Sequence, residues 1–492
     1  MNRSISIERF KTIFMVVLFI TTILLFYFLW KDIATGGLKL PIDFLTQEQP
    51  IEVPTYSEVI KPESISVNFG GEIYTKLTNT DTYWPSFINE LSKFGESQNI
   101  AINEITREQY DKVNSYRSIE VNFNYWLPFL ESCAKLGIKT QTAYSQIEAV
   151  TKLSYSTASP ESILIFDGKN RKYYRLASAK DTTKMKELIT NVENAATDKY
   201  YQLGTYLGIQ NPTLMPISEI SKSRPIDYKQ ELYATSKDDM QIFSESFFGK
   251  GFDFVRKVTE SDGTNILMYG YGEKILILNK DGSAEYKEDY QADDYLELSF
   301  YDSLDLAMKF ISEHGSWQSM SGTKLNPRLI SVTQVKVQNK TGYKFVFNNS
   351  ILGEPIYCEG KKNCLLVETL GSKITRYSRD MIDIDMEQVA DNSNLAEMMT
   401  IAPIDIISKD FKYIDSILSK EGVTVLGDTD AKLFENTGVL ITNIKTGYFK
   451  QDILQSPKSQ RLLPAWIIEV SGIQIYFGLY DGKQLGYSTN NN

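Results

Sequence analysis

A single histidine limits the chemistry that this sequence can support. In 492 residues, His314 is the only histidine, and Gly315 follows it at the end of a predicted helix. A zinc site with two imidazole ligands is therefore excluded, and no second histidine could serve as a general base. A helix C-terminus favours a protonated histidine electrostatically. We therefore predict a structural role for His314 and assign no catalytic and no metal-binding residue.

Neither the glycine-rich nor the acidic segments match a site for a nucleotide or a metal. Gly249-Lys250-Gly251 and Gly270-Tyr271-Gly272 lack the strand, loop and helix order and the terminal Lys-Ser/Thr of a phosphate-binding loop. Asp293-Asp294 and Asp383-Ile384-Asp385 could form a carboxylate site, although a solvated strand edge or helix start is the more common setting. Neither pair matches a calcium loop. No cofactor is predicted.

The three cysteines, Cys133, Cys358 and Cys364, are too few for a disulfide scaffold and lack the C-x-x-C spacing of a zinc site. A turn-like loop, 359–363, separates Cys358 from Cys364 between two apolar strands, so their sulfur atoms can come within disulfide reach. A disulfide and a pair of free thiols are both compatible with this spacing. Cys133 lies beside apolar helical residues such as Leu130, which indicates a small buried hydrophobic residue.

An uncharged apolar segment lies near the N-terminus. Residues 12–30 read TIFMVVLFITTILLFYFLW, a length close to the ~20 residues that a helix needs to cross the hydrocarbon core of a membrane. A cleavable signal peptide has a shorter apolar stretch and small residues at its cleavage site, whereas bulky Phe28, Leu29 and Trp30 end this segment. We therefore predict an uncleaved transmembrane helix over residues 12–30.

The charges around this segment predict its orientation. Arg3, Arg9 and Lys11 precede it, only Glu8 opposes them, and the other side soon becomes acidic. The positive-inside rule then places residues 1–11 in the cytoplasm and the bulk of the chain outside it. The expected location is the cell membrane, with a single pass.

Two small hydroxyl residues, Thr21 and Thr22, lie in the middle of the predicted transmembrane helix. Side chains of this kind permit close packing of helices in lipid. Thr21 and Thr22 are therefore the residues that we predict to contact the transmembrane helices of a partner protein. The alternative is a helix that serves only as a tether.

The remaining chain is too long for one hydrophobic core, so several folded units are expected. Residues 31–62 contain four prolines and few periodic apolar residues, which predicts a spacer. We place an N-terminal α+β domain at 63–224, a central β-rich domain at 225–300 and a C-terminal α+β domain at 301–492. The two halves of the C-terminal domain resemble each other loosely.

Apolar periodicity predicts both helices and strands in this region. Period-two alternation at 64–69 is typical of a strand, whereas Trp84 to Phe94 has apolar residues on one helical face. Asp262-Gly263 and Asp281-Gly282 lie between apolar runs, as in antiparallel hairpins. Further helices are predicted around 184–197, 304–311 and 414–418. The predicted fold class is α+β, with one N-terminal transmembrane helix followed by a multi-domain extracytoplasmic region of antiparallel sheets with packed helices.

The charge of the chain argues against nucleic-acid binding. The formal net charge is −10, and no long run of lysine or arginine occurs. A protein that binds DNA or RNA electrostatically needs a basic face, so no nucleic acid is expected among the partners.

The order of these features resembles the YycH family, extracytoplasmic regulators of the WalK (YycG) sensor histidine kinase in Gram-positive bacteria. The resemblance is spread over the chain as patterns of strands and turns, and the last domain resembles a module that YycH shares with its partner YycI. The segments that carry it are Leu29-Trp30, Lys61-Pro62-Glu63-Ser64-Ile65, Phe247-Phe248, Val255-Arg256, Asp262-Gly263-Thr264, Tyr269, 278–282, Glu285-Tyr286, Gly353-Glu354-Pro355-Ile356-Tyr357, Leu366-Val367-Glu368, 374–377, Leu463-Pro464-Ala465-Trp466 and 480–482. The insertion that holds Cys358 and Cys364 and the acidic spacer depart from the family's pattern.

The resemblance implies a non-enzymatic, membrane-anchored regulator of a cell-envelope two-component kinase. Its exterior domains would associate with a YycI-like protein, and its transmembrane helix would contact the helices of a WalK-type sensor histidine kinase. Two alternatives stay open: an envelope glycan-binding protein or enzyme, and a structural scaffold of an envelope complex.

Overall fold

The computed structural model describes residues 52–489 with short gaps, together with Phe19, Thr21 and Thr22. The gaps are 98–99, 141, 179–182, 196–197, 218–219, 222, 291–294, 321, 324–325, 361–363, 388, 390–397 and 451–459. The chain divides into two compact units, Met1–Glu52 and Val53–Asn492. All elements named below belong to the second unit.

The predicted cytoplasmic segment 1–11 and transmembrane helix 12–30 lie outside the described residues, apart from Phe19, Thr21 and Thr22. Within the part of the chain that the structure describes, no helix combines the length and the apolar composition of a membrane span. The anchor and its orientation therefore stay predictions.

The helices and strands of the second unit are short to medium in length. The helices are α1 Tyr56–Val59, α2 Trp84–Gly95, α3 Arg107–Asn114, α4 Phe129–Lys135, α5 Thr183–Asn194, α6 Leu203–Leu207, α7 Glu231–Ala234, α8 Lys237–Phe248, α9 Phe300–Glu313, α10 Pro403–Lys420 and α11 Asp430–Val439. The strands are β1 Ser64–Gly70, β2 Ile73–Leu77, β3 Ala101–Ile105, β4 Ser118–Pro128, β5 Ala149–Ser156, β6 Ser162–Asp167, β7 Lys172–Ala177, β8 Tyr200–Gln202, β9 Leu214–Pro216, β10 Ile220–Ser221, β11 Ile226–Gln230, β12 Arg256–Thr259, β13 Asn265–Tyr269, β14 Lys274–Leu278, β15 Ala284–Glu288, β16 Arg328–Val337, β17 Lys340–Asn348, β18 Ser350–Ile351, β19 Glu354–Cys358, β20 Leu365–Leu370, β21 Lys373–Arg379, β22 Ile382–Ile384, β23 Met398–Met399, β24 Ile441–Lys450, β25 Gln460–Val470, β26 Ile473–Gly478 and β27 Gln484–Thr489.

The strands assemble mainly into antiparallel sheets, as predicted. The first sheet has the order β3-β7-β6-β5-β4-β1-β2-β8-β9, and the second has the order β12-β13-β14-β15-β21-β20-β17-β16. The third has the order β18-β19-β24-β25-β11-β22, with β26 and β27 continuing from β25. Helices pack on these sheets, so the α+β class with antiparallel sheets is confirmed.

Local predictions agree with the observed elements. The predicted helix at 84–94 is α2, and its apolar side chains Phe87, Leu91 and Phe94 are buried. Both Asp-Gly turns lie in hairpins, one between β12 and β13 and the other between β14 and β15. These elements formed where local periodicity and turn chemistry predicted them, because both signals are contained in a few consecutive residues.

The sheets cross the predicted domain boundaries. The segment predicted as a central domain supplies β12 to β15 to the second sheet, whose other strands come from residues beyond 301. The same segment supplies β11 to the third sheet, between β25 and β22. The end of the predicted spacer contains α1, and the neighbouring apolar side chains Val59 and Ile60 are fully buried.

The two halves of the C-terminal region share an order of elements. Helix α9 precedes the antiparallel series β16, β17, β20 and β21. Helices α10 and α11 precede the series β24, β25, β26 and β27. The first series belongs to the second sheet and the other to the third.

Candidate functional site

The first sheet has one apolar face and one polar face, because its strands alternate. Ile65 and Val67 of β1 are fully buried in the main core. Alternate residues of a strand point to opposite faces, so Ser64, Ser66 and Asn68 lie on the other face. Helix α5 packs against β1 and against α2, and this leaves the polar face to meet a different part of the molecule.

Polar residues continue across this face in rows, because neighbouring strands are in register. One row passes through Lys76, Ser66, Glu120 and Ser154, and a second through Tyr74, Asn68, Ser118 and Ser156. A third row passes through Ser64, Asn122, Lys152 and Phe166. A sheet face of this composition is solvated or binds a polar ligand.

The polar face lines a cavity of about 750 Å³, which we call the polar cleft. Its opposite wall includes Thr442 and Asn443 of β24 and Glu469 of β25, and residues 212–214 contribute to its rim. Ligand pockets in proteins typically measure about 300 to 1,000 Å³. The polar cleft is therefore large enough for an organic ligand.

A carboxylate lies at the centre of the cleft floor. The hydroxyl of Tyr110 donates a hydrogen bond to Glu120 Oε2 at 2.7 Å, and Lys152 Nζ lies 3.1 Å from Glu120 Oε1. The Glu120 carboxylate raises the pKa of Lys152, and burial followed by the same carboxylate raises the pKa of Tyr110. Lys152 is thus held charged and Tyr110 neutral, as a fixed donor.

Aromatic rings form one end of the cleft. Phe166 stacks on Tyr173 with ring centroids 4.6 Å apart, and Tyr173 also contacts Tyr110 at 4.9 Å. Phe166 and Tyr173 are only partly buried, whereas Tyr110 is 4% exposed. The cleft therefore combines a polar floor with accessible aromatic surface.

A buried ion pair lies where the first sheet meets the third. Lys445 Nζ is 2.6 Å from Glu63 Oε1, and Asn443 Nδ2 donates to the same oxygen at 3.1 Å. Burial raises the pKa of Glu63, but the positive charges of Lys445 and Lys76 outweigh that effect and lower the pKa to about 2. Glu63 is therefore ionised at neutral pH although its side chain is largely buried.

This ion pair also borders a second cavity of about 320 Å³. Glu63, Asn124 and Glu469 line both cavities, so the two spaces adjoin. The second cavity reaches Cys358 and Cys364. Sequence reasoning did not find this junction, because its members come from strands nearly 400 residues apart. A lysine at a 5% exposed position of the apolar strand β24 was the available signal.

Cys358 and Cys364 lie together as free, buried thiols. A hydrogen bond between them raises the pKa of Cys358 and lowers that of Cys364. The ion pair of Lys450 with Asp380, at 2.6 Å, is adjacent. The structure brings the two sulfur atoms together as the spacing predicted, and the disulfide itself stays a prediction. Cys133 is buried as expected, and burial raises its pKa to about 12.

His314 has a structural environment. It follows α9 directly, its Nδ1 lies 2.8 Å from the carbonyl oxygen of Phe310, and its ring stacks on Phe310 at 3.8 Å. Burial lowers its pKa. Desolvation of the charged ring outweighs the opposing effect of the hydrogen bond to the Phe310 carbonyl, so the neutral ring is favoured.

The other predicted positions do not form a common site. Thr21 and Thr22 are helical and exposed within the unit Met1–Glu52, and their contact with a partner stays a prediction. Asp383 accepts a hydrogen bond from Thr323, and Asp385 caps the following turn through the backbone of Glu387. Asp293-Asp294 lies outside the described residues. No group of three or more metal-ligating side chains is found among the residues that the structure describes.

A known protein has a similar fold. The crystal structure of YycH from Bacillus subtilis matches with a TM-score of 0.54 and 12% sequence identity, over 86% of this chain and 97% of that one. The chain has a YycH-like fold. The C-terminal domain of YpeB from Bacillus megaterium also aligns, with a TM-score of 0.23 and 10% identity, over 52% of this chain and 99% of that one.

No family model and no curated protein sequence matches the chain. The YycH-like fold thus agrees with the resemblance drawn from the order of sequence features. At 12% identity, this likeness concerns the fold.

Proposed function

We propose that the protein is a non-enzymatic regulator of a cell-envelope two-component sensor histidine kinase. In this proposal one N-terminal helix anchors it in the cell membrane, and the unit that contains the three sheets lies outside the cytoplasm. The observation that supports it most is the YycH-like fold, which extends over 86% of the chain. The sequence segments that resemble the YycH family give the same assignment independently.

The proposed partners are a WalK-type kinase in the membrane and a YycI-like protein outside it. A helix can change the activity of a kinase only if it packs differently against two states of the kinase. Small hydroxyl side chains allow the close approach that such packing needs, so Thr21 and Thr22 are the proposed contact residues.

Photocrosslinking in cells tests the helix contact. A photoreactive residue is introduced singly at Ile13, Val17, Thr21 or Leu25 of the full-length chain, positions that recur on one helical face. Matched controls replace Met15, Phe19 or Ile23, which lie on the opposite face. We expect a histidine kinase to be captured from the first face and not from the second. Capture of lipid alone from every position would contradict the proposal.

Replacement of the whole segment distinguishes a regulator from a scaffold. Residues 12–30 are exchanged for an unrelated apolar helix of the same length, and membrane location is checked by fractionation. A regulator should then lose its effect on transcription of the kinase-dependent genes, whereas a tethered scaffold would keep its effect. Retention of full regulation by the exchanged protein would reject the helix contact.

A further inference from the structure

We propose that the polar cleft binds a neutral oligosaccharide. The kinase proposal assigns no ligand to this cavity, and the present inference does not depend on that proposal. It rests on the charges, the hydrogen-bonding groups and the aromatic rings that line the cleft.

The charged groups of the cleft are largely paired with one another, so the cavity offers little unbalanced charge. Two pairs lie in the lining, Glu120 with Lys152 at 3.1 Å and Arg107 with Asp111 at 3.5 Å, and Glu63 of the lining pairs at 2.6 Å with Lys445, which is not a lining residue. Lys76 and Glu469 add one side chain of each sign. A phosphorylated or strongly cationic ligand would need an excess of opposite charge to offset the loss of its hydration. The lining therefore favours an uncharged ligand.

Amide and hydroxyl groups supply most of the remaining lining. The amides are Asn68, Asn114, Asn122, Asn124, Asn443 and Gln202. Each side-chain amide both donates and accepts hydrogen bonds, as does each hydroxyl of a sugar, so the two chemistries complement each other. Asn122 of β4 and Asn443 of β24 both line the cleft, and the amide of Asn443 is held in place by Glu63 and Lys76. Several of these amides already bond to protein groups, Asn443 to Glu63, Asn68 to the backbone of Asn114 and Gln202 to Tyr74, so a ligand would bond to the donors and acceptors that remain.

The aromatic end distinguishes a sugar from other neutral polar ligands. A sugar ring has an apolar face of C–H groups that packs on the face of an aromatic ring. Phe166 and Tyr173 are partly exposed at the cleft, whereas the aromatic rings of the main core are buried. A cavity of about 750 Å³ accommodates more than one sugar ring.

Calorimetric titration of the full-length protein in nanodiscs tests this inference. The probes are chitotetraose and cellotetraose, two neutral tetrasaccharides with and without acetamido groups. Tyr173→Ala removes one of the two partly exposed aromatic rings of the cleft, and Asn122→Leu replaces an amide on the cleft floor by an apolar group of similar size. We expect saturable binding of at least one probe by the unchanged protein, and an affinity at least about tenfold lower in both variants.

Tyr271→Asn is the matched control, because Tyr271 is fully exposed, is not among the residues that line the cleft, and has a φ of 57° that asparagine tolerates. This variant should bind the probes like the unchanged protein. Melting temperatures establish that each variant is folded, and Asn122→Leu keeps the test valid if Tyr173→Ala unfolds. Absence of saturable binding of both probes, or equal affinity in a folded cleft variant, would overturn the inference. Kinase crosslinking is measured separately, so failure of either proposal can be recognised without the other.

Discussion

Two buried ion pairs connect distant parts of this molecule in different ways. In the first, Arg379 of β21 donates from Nε and Nη2 to both carboxylate oxygens of Glu231, at 2.8 and 2.7 Å. Its guanidinium also donates to the backbone carbonyls of Gly315, Ser316 and Gln318. The two side chains are 0% and 2% exposed. This pair is saturated with hydrogen bonds and closed to solvent.

The second pair, Glu63 with Lys445, has a single contact of 2.6 Å between its charged groups. Glu63 lines both cavities, and Lys445 lines the smaller one. Water or a ligand can therefore reach its surroundings. A buried ion pair that is surrounded only by fixed protein groups is costly to break, because the remaining charge finds no new partner. A charge beside a cavity can replace a lost partner by water or by a ligand. The first pair thus serves the fold, and the second sets the electrostatics of the cleft.

The largest effect is expected from breaking the saturated pair. Arg379→Met leaves the Glu231 carboxylate buried without its partner and removes the donors to three carbonyls, so the free energy of unfolding should fall by about 3 to 5 kcal/mol. Urea unfolding measures this change. Arg376→Met on the same strand is the control, because the ion pair of Arg376 with Glu285 is exposed. Its loss should lower the free energy of unfolding by about 0.5 kcal/mol or less. Equal losses in both variants would contradict the structural role of the first pair.

A smaller loss is expected at the cavity wall. In Lys445→Met, Glu63 keeps the amide of Asn443 and can be reached by water, so the free energy of unfolding should fall by about 2 kcal/mol. The same urea unfolding experiment gives the comparison. A loss as large as that of Arg379→Met would show that water in the cavities does not stabilise the unpaired Glu63 carboxylate. The contrast between the two ion pairs would then fail.

The same pair should make stability depend on pH. The pKa of Glu63 is lowered from 4.5 to about 2, so its stabilisation is complete above pH 4.5 and is lost as the pH falls towards 2. Between about pH 6 and pH 3 this group should account for roughly 2 kcal/mol of lost stability. Glu63→Gln should therefore reduce the acid dependence of urea unfolding by that amount. An unchanged pH profile would mean that Glu63 is not stabilised as an anion.

The smallest effect is expected from the two cysteines, Cys358 and Cys364, which lie beside a third ion pair, Lys450 with Asp380. Oxidation of Cys358 with Cys364 closes a loop of seven residues and should stabilise the fold by about 2 kcal/mol or less. Peptide mass spectrometry of protein taken from cells, with thiols blocked, identifies the bridge, and melting with and without reductant measures its effect. Cys133 is the internal control and should stay a thiol. Complete alkylation of all three residues would reject the bridge.

Local sequence patterns predicted many of the elements because they depend on neighbouring residues. The helix at 84–94 and the Asp-Gly hairpins required only periodicity and turn chemistry. The alternation of β1 and β4 was likewise present in the sequence, with serine or asparagine at every second position of β1. It could not reveal which face meets helices and which meets a cavity, because the sequence does not specify what covers a strand.

The candidate site depends on pairings that no local pattern contains. β11 pairs with β22 and with β25, which lie more than 150 and 230 residues further along the chain. The opposite wall of the polar cleft comes from β24, far in sequence from the floor. Glu63 and Lys445 each read as an ordinary polar residue near a strand, and only the assembled sheets make them partners.

The entry of the chain into the folded unit has a mechanical consequence. Within a dozen residues of Val53, Tyr56 donates a hydrogen bond to Asp305 at 2.5 Å, Val59 is fully buried, and Glu63 contacts Lys445. Tension applied at Val53 would therefore load contacts with two distant stretches of sequence at once. The unit would resist such a pull as a whole, since β1 cannot be detached without also breaking the contact of Glu63 with Lys445 in the third sheet.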